Sequence, residues 1–139
     1  MNVAYQYTPS MPYELYDSRS SRMERDGKDV RMYFENGFTQ MSDAKRVPGN
    51  LLIQNVDWEK SHIHLLGETI PFGAFDGRKV ELDRFIRQLR VYTFEIISES
   101  YGYQTVTYSG NLYLPDWEKL IHITIFLSYS GKIIYEVPD

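Results

Sequence analysis

The three histidines are the residues of this 139-residue chain whose spacing comes closest to a chemical site. His62 and His64 are two residues apart in a predicted strand, and alternate residues of a strand point to the same face. His122 lies in a second predicted strand, and three histidines are the protein's share of an open zinc site. One hypothesis is therefore a metal-dependent β-barrel enzyme that binds a divalent transition metal here. The alternative is that the histidines line the solvated face of strands, because each alternates with apolar neighbours.

The pattern His62-x-His64-x-x-x-Glu68 resembles half of the first metal motif of the cupins, a β-barrel family that binds divalent metals. The glycines that this family usually carries before the first histidine and after the glutamate are replaced here by Val56 and Phe75. The second cupin motif is absent from the sequence. Because the resemblance covers so short a segment, the chain is not identified as a cupin.

Aromatic residues give a second set of candidates, because tyrosine accounts for twelve of the 139 residues. A tyrosine packs a large apolar ring and keeps a hydroxyl at the wet edge, which suits sheet faces and protein interfaces equally. Many of these rings are therefore expected to be cross-strand partners on half-exposed faces. Aromatic side chains on turns are better candidates for gripping a partner, since strands are constrained by pairing. The predicted binding residues are Trp58, Tyr101, Tyr103 and Trp117.

Other catalytic signatures are weaker than their structural explanations. The absence of cysteine excludes disulfides, thiolate zinc sites and cysteine nucleophiles. No serine lies in a Gly-x-Ser-x-Gly elbow, and no glycine-rich phosphate loop occurs. Glu95 and Glu99 are predicted to share a strand face, where solvated carboxylates explain them better than an acid–base pair. The sequence therefore favours a non-enzymatic protein with no catalytic residue and no cofactor.

The charge balance and the apolar content indicate which partners to expect. With 15 basic and 19 acidic residues the formal net charge is −4, whereas phosphate neutralisation requires a clustered basic surplus. Basic residues recur at every third position from Arg19 to Arg31, but in a hairpin they alternate between faces and have acidic neighbours. We therefore expect no nucleic-acid partner. No apolar stretch approaches the roughly 20 residues that span a bilayer, and no signal peptide is recognisable, so we expect a cytoplasmic protein without a membrane partner.

Alternation of apolar and polar residues predicts that most of the chain is strand. The clearest strand, Val30 to Phe34, lies between Asp-Gly at 26–27 and Asn-Gly at 36–37, dipeptides typical of hairpin turns. The first three predicted strands should form a meander and the next two a hairpin, and residues 67–79 are predicted to be irregular. The predicted strands are 20–25, 28–35, 38–42, 51–56, 62–66, 94–97, 104–108, 111–114, 120–129 and 132–137.

One segment has helical rather than strand periodicity. Its apolar residues recur at i, i+3, i+4 and i+7, which predicts an amphipathic helix at about 80–90 that must dock on a sheet to be stable. The predicted fold is thus mainly β: an antiparallel meander that forms a sandwich or partly open barrel, with this helix packed on it. We expect a single domain over residues 1–139, with 1–18 as a more loosely packed N-terminal segment. The helix pattern is formed by Leu82, Phe85, Ile86 and Leu89.

Two further expectations concern pairing and repetition. Counting back from a two-residue turn at Ser130-Gly131 predicts that Leu127 pairs with Ile134 and Phe126 with Tyr135. The tetrapeptide Asp-Trp-Glu-Lys occurs at 57–60 and again at 116–119, and Gly-Asn-Leu precedes it at 49–51 and at 110–112, with five and three residues in between. This repetition raises the hypothesis of an internal duplication with pseudo-twofold symmetry.

These observations lead to two functional hypotheses. The first is a small, acidic, cytoplasmic protein of bacterial or phage character that binds another protein without catalysis, as an inhibitor or immunity protein does. The second is the metal-dependent β-barrel enzyme. A homodimer is compatible with either, because strand edges must be paired, covered or charged.

Overall fold

Alternating apolar and polar side chains build most of this chain into antiparallel strands. The computed structural model describes residues 1–4, 11–70, 74–115 and 117–138, without the side chains of 68–70, 74–76 and 117–119. These residues form thirteen strands and one short helix. In chain order the elements are β1 (Asn2–Ala4), β2 (Tyr13–Glu14), β3 (Arg19–Asp26), β4 (Asp29–Phe34), β5 (Phe38–Gln40), β6 (Lys45–Val47), β7 (Asn50–Ile53), β8 (His62–Ile70), β9 (Ala74–Glu81), α1 (Leu82–Gln88), β10 (Thr93–Gly102), β11 (Thr105–Leu114), β12 (Trp117–Ser128) and β13 (Ile133–Glu136).

Ten of the strands form one sheet and three form a second. The larger sheet has the order β1-β13-β7-β4-β3-β10-β11-β12-β8-β9, and the smaller has the order β2-β5-β6. Every pairing between these strands is antiparallel. Among the described strands, the larger sheet ends at β1 and β9, which do not pair with each other to close a barrel. The predicted mainly β, antiparallel class with one helix packed on the sheet is confirmed.

The core lies against one face of the larger sheet, as the alternation predicts. In β12 the side chains of Ile123, Ile125 and Leu127 are buried, whereas Thr124 and Phe126 between them are half-buried and His122 before them is exposed. Burying apolar surface stabilises the fold by roughly 25 cal/mol per Å², so the apolar face decides which side of each strand turns inward. The same alternation holds in β4, whose buried residues are Val30, Met32 and Phe34.

The helix predicted at about 80–90 is confirmed, although α1 is shorter. Its residues Leu82 and Phe85 are buried, and Ile86 packs against the core cluster. The ring of Phe85 lies 5.5 Å from that of Tyr92, measured between centroids. Among the described residues no helix has the length and apolar character needed to cross a membrane.

The predicted hairpin of 51–56 with 62–66 is wrong. Strand β7 lies between β13 and β4, whereas β8 lies between β12 and β9, so the two do not pair. The reason is the turn between them: the carboxylate of Asp57 accepts hydrogen bonds from the amides of Glu59 and Lys60, each 3.2 Å long, and redirects the chain. Sequential strands are neighbours in most folds but not in all, and here both edges of β7 are taken by other strands.

Two other segments also differ from expectation. The irregular connection predicted at 67–79 is wrong for residues 67–70 and 74–79, because β8 and β9 extend into them and pair there, Leu66 with Gly77 and Gly67 with Asp76. Residues 71–73 lie outside the described residues. The strand predicted at 38–42 does not continue the meander, since β5 pairs with β2 and β6 in the smaller sheet. Gly37, at φ +62°, turns the chain away from β4, and a Cβ there would overlap the Val47 carbonyl oxygen.

The pairing predicted for the last two strands is wrong as well. Leu127 pairs with Val106 and Phe126 with Thr107 and His62, while β13 pairs with β1 and β7. The connection between β12 and β13 is longer than two residues, and in it Tyr129 forms a bridge with Val56. The chain therefore crosses from one part of the sheet to another instead of returning beside β12. The segments predicted at 104–108 and 111–114 are a single strand, β11.

The repeated tetrapeptides occupy different topological positions. The described residues of the second copy, 117–119, begin β12 at its hairpin with β11, where Leu114 pairs with Trp117. The copy at 57–60 joins β7 to β8, which are not neighbours. A duplication would place both copies in equivalent hairpins, and the strand pairing does not do so.

Parts of the N-terminal segment belong to the sheets and the core. The Met1 amino group donates a hydrogen bond of 2.6 Å to the Val137 carbonyl, and β1 pairs with β13. Tyr13 and Leu15 are buried. Residues 5–10 of the segment predicted to pack loosely lie outside the described residues.

Candidate binding surface at one end of the strands

Several turns meet at one end of the larger sheet, and backbone hydrogen bonds join them. The amide of Tyr129 donates to the carbonyl of Gln104 over 3.0 Å, which ties the β12–β13 connection to the β10–β11 turn. The amide of Val56 donates to the carbonyl of Lys28 over 2.9 Å, which ties the β7–β8 connection to the β3–β4 turn. We call this surface the turn end and define it as residues 27–28, 54–61, 103–104 and 129–132.

The backbone of the turn end is held in conformations that most side chains avoid. Asn55 has φ +52° and Gln104 has φ +53°. Such non-glycine positions cost on the order of 1–3 kcal/mol each and persist where the surroundings fix them. The Asn55 amide donates to the Asp29 carboxylate over 2.8 Å, and the Asn55 side chain donates to the Ser130 hydroxyl. The turn end is therefore a fixed frame.

Tyr103 stands out on this frame. Its side chain is 88% exposed, the highest value for any large apolar or aromatic residue in the described part of the chain. A recess of about 400 Å³ lies beside it, with Gln104, Tyr129 and Lys132 among its walls. A second recess of about 490 Å³ shares Gln104 and Tyr129 with the first and extends to Trp58. The exposed ring thus lines one recess, and that recess adjoins a second one through Gln104 and Tyr129.

Trp58, a second predicted binding residue, also lies at the turn end, where it lines the second recess and does not protrude as Tyr103 does. Its indole N–H donates to the Lys28 carbonyl over 3.1 Å, and its side chain packs partly against the core. The Arg25 guanidinium carbon lies 4.0 Å from the centroid of the indole, a cation–π contact. The structure therefore brings Trp58 and Tyr103 to one end of the molecule.

The other two predicted binding residues lie elsewhere. Tyr101 was predicted to lie on a turn, but it lies in β10, opposite the buried Val106. Its hydroxyl donates to Glu99 over 2.5 Å, and burial raises the pKa of Tyr101 well above its ordinary value. Trp117 is the first residue of β12, at the opposite end of that strand from the turn end, and its side chain lies outside the described residues.

Glu99 faces the core, which corrects the prediction that it shares a face with Glu95. A β-bulge between Ile96 and Ser98 shifts the register, so that Glu99 pairs with the buried Tyr108. The Leu15 amide donates to the Glu99 carboxylate over 2.9 Å. Burial raises the pKa of Glu99, although the hydrogen bonds from Tyr101 and from the Leu15 amide oppose that change. Glu95 instead accepts a hydrogen bond from Asn111 at the opposite face.

Tyrosine rings surround this carboxylate. The hydroxyl oxygens of Tyr101 and Tyr135 are 3.4 Å apart, and the rings of Tyr101 and Tyr108 are perpendicular with centroids 6.4 Å apart. The Tyr108 hydroxyl is buried without a hydrogen-bond partner among the described residues, and burial raises its pKa well above the ordinary value. We call Glu99, Tyr101, Tyr108 and Tyr135 the inner cluster. The sequence did not predict the inner cluster, because no local pattern predicts the bulge that turns Glu99 inward.

The histidines form a strip on the outer face. The rings of His62 and His64 lie 4.7 Å apart, and His62 stacks on Phe126 with a centroid distance of 5.2 Å. His122 pairs with Leu66 and not with either histidine. Within the described residues no group of three or more histidine, aspartate or glutamate side chains is arranged to hold a metal ion. Partial burial lowers the pKa of His62. The side chain of Glu68 lies outside the described residues.

The chain matches no protein-family model, no curated protein and no solved structure. Sequence reasoning identified Trp58 and Tyr103 but missed Gln104, Tyr129 and Lys132 beside them. The sequence placed these three residues at the ends of predicted strands, and only the strand order brings those strand ends together.

Proposed function

We propose that this chain is a non-enzymatic protein-binding domain, of the inhibitor or immunity kind, and that the turn end is its contact surface. The observation that carries the proposal is the exposure of Tyr103, which is 88% accessible on a fixed turn and lines one recess, while the next residue, Gln104, lines both that recess and a second one. When a partner covers a large ring that is exposed to water, burial of the ring contributes favourably to the free energy of binding. Such rings are enriched among the residues that dominate interfaces.

The rigidity of the turn end supports this role. Binding costs conformational entropy for each side chain and loop that becomes ordered, and a surface already held in place avoids most of that cost. Here Gln104 accepts a backbone hydrogen bond from Tyr129, and Asn55 is fixed by Asp29 and Ser130. Tyrosine adds contact area with few rotatable bonds to immobilise. The proposed setting is the cytoplasm, because a domain of this size without cysteine does not rely on an oxidising compartment.

The experiment compares Tyr103→Ala with a matched control, Tyr113→Ala. Tyr113 is also an exposed tyrosine, 47% accessible, but it lies in β11 near the opposite end of the sheet. Each purified variant is used to capture its partner from the native host, and the affinity is then measured with the purified partner. We expect Tyr103→Ala to weaken binding at least about tenfold, or roughly 1.4 kcal/mol, and Tyr113→Ala to leave it within about twofold.

The proposal would be contradicted if the unaltered chain, Tyr103→Ala and Tyr113→Ala all retained the same partner equally. A second copy of this chain as the retained partner, lost with Tyr103→Ala, would identify the turn end as a homodimer contact. Sedimentation of the purified chain at several concentrations measures that association directly.

A further inference from the structure

A groove between β3 and α1 is a third recess, separate from the two at the turn end and larger than either, at about 830 Å³. It forms because β3 pairs with β10 at Arg19 and Ser20, after which a bulge follows. Among the described strands, β4 is then the neighbour of residues 22–26 on one side, and α1 lies along the other side. We call this the arginine groove after the four arginines that line it, Arg22, Arg25, Arg87 and Arg90.

The helix side of the groove has one carboxylate shared by two arginines. Asp83 accepts a hydrogen bond from Arg25 over 3.2 Å and another from Arg87 over 2.8 Å. These two guanidinium groups lower the pKa of Asp83. The single negative charge of Asp83 is therefore paired with two positive charges, and the hydrogen bonds from Arg25 and Arg87 orient its carboxylate.

The remaining two arginines are at the rims of the groove. Arg22 bonds Glu24 over 2.5 Å and lies over the ring of Tyr33, with its guanidinium carbon 4.6 Å from the centroid. Arg90 donates to the carbonyl of Arg87 over 3.0 Å. The lining thus carries two more positive than negative charges in a chain whose net charge is −4. A guanidinium presents a planar fork of donors that matches a carboxylate.

Apolar side chains lie between these charges. Met23 and Tyr92 line the groove and are buried, and Ile86 and Leu89 line it as partly buried residues. A ligand that fills this space must present carboxylates to the rims and apolar groups to the floor. An extended peptide does so when its acidic and apolar residues alternate, because successive side chains of a strand point in opposite directions.

We infer that the arginine groove binds an extended acidic segment of the partner protein, in which carboxylates alternate with apolar residues, alongside β3. Charge complementarity selects an acidic segment, and the strand on one wall suits extended backbone, a common mode of peptide recognition. The inference rests on the proposed protein-binding function and adds the chemistry of the partner. Arg25 lines both the groove and the recess beside Trp58, so one partner can occupy both.

The test uses a labelled eight-residue peptide of alternating glutamate and valine, a second peptide with lysine in place of glutamate, and fluorescence anisotropy. Arg22→Glu and Arg90→Glu reverse a charge on each rim. Arg84→Glu is the matched control, because Arg84 makes the same charge change on α1 but bonds Gln88 and does not line the groove. We expect each rim variant to weaken binding of the glutamate peptide at least about tenfold and Arg84→Glu to weaken it less than about twofold. The lysine peptide should not bind.

Three results would overturn the inference: no binding of the glutamate peptide, an equal loss with Arg84→Glu, or tighter binding of a single-stranded oligonucleotide than of the peptide. The Tyr103→Ala variant separates this inference from the proposed function. It should bind the peptide as the unaltered chain does, since Tyr103 does not line the groove. If the peptide binds but Tyr103→Ala has no effect on binding of the native partner, the proposal that the turn end is the contact surface is refuted and the inference about the groove is not.

Discussion

The inner cluster and the histidine strip are polar groups on opposite faces of the same ten-stranded sheet. Glu99 faces the core from β10, and His62 faces outward from β8. Burial raises the pKa of the carboxylate and lowers the pKa of the imidazole, so the folded chain favours the neutral form of both groups. The face of the strand, rather than the residue type, therefore decides which polar groups interact with the core.

A bulge accounts for this difference. Strict alternation would keep Glu95 and Glu99 on one face, but one extra residue between Ile96 and Ser98 turns Glu99 inward. Gly110 pairs with Ile96 at this point, and a Cβ there would overlap the Glu95 carbonyl oxygen. The bulge and the glycine therefore depend on each other, whereas β8 keeps its alternation from His62 to Leu66.

The largest effect is expected from Gly110→Ala, which removes the space that the bulge needs. Because the new methyl group meets backbone rather than a movable side chain, we expect the free energy of unfolding to fall by at least about 2 kcal/mol. Urea denaturation measures it. Gly67→Ala is the matched control, since Gly67 lies in β8 with open space at its Cβ position, and it should change stability by less than about 0.5 kcal/mol. Equal effects of the two substitutions would show that the bulge does not constrain residue 110.

A smaller effect separates two tyrosines of the inner cluster. Tyr101→Phe removes a donor to the buried side of Glu99, and we expect a loss of about 1–2 kcal/mol in the free energy of unfolding. Tyr108→Phe removes a buried hydroxyl that has no partner among the described residues, so stability should be unchanged or higher by up to about 1 kcal/mol. Denaturation of both variants under the same conditions checks the difference. A greater loss with Tyr108→Phe would mean that its hydroxyl is the better bonded of the two.

These residues also show how far the sequence could predict the fold. Strand positions, the inward residues of β4 and β12 and the helix follow from period-two and helical patterns, which are local. The pairing of β7, β8 and β13 depends on contacts between distant segments, and no local pattern encodes those contacts. The same limit applies to the candidate site: Tyr103 was recognisable as a turn residue, but Tyr129 beside it required the strand order.

The inner cluster should also give stability a dependence on pH. Because the folded-state pKa of Glu99 lies above its ordinary value of 4.5, its contribution is fully present below that value and is lost as the pH rises through the folded-state pKa. Glu99→Gln cannot ionise, so this decline should disappear from a plot of unfolding free energy against pH. Glu95→Gln, in the same strand but on the opposite face, should retain the decline. A decline that persists in Glu99→Gln would assign it to another group.

The smallest effect is expected on the outer face, and its sign is opposite. The folded-state pKa of His62 lies below its ordinary value of 6.5, so its contribution is present above that value and is lost as the pH falls through the folded-state pKa. His62→Gln should reduce this acid-side loss by no more than about 0.5 kcal/mol, because the imidazole is only partly buried against Phe126. His64→Gln, two residues along the same face, is the control, since His64 is exposed. If both substitutions altered the acid side equally, burial against Phe126 could not be the cause, and the contrast between the two faces of the sheet would lose its outer half.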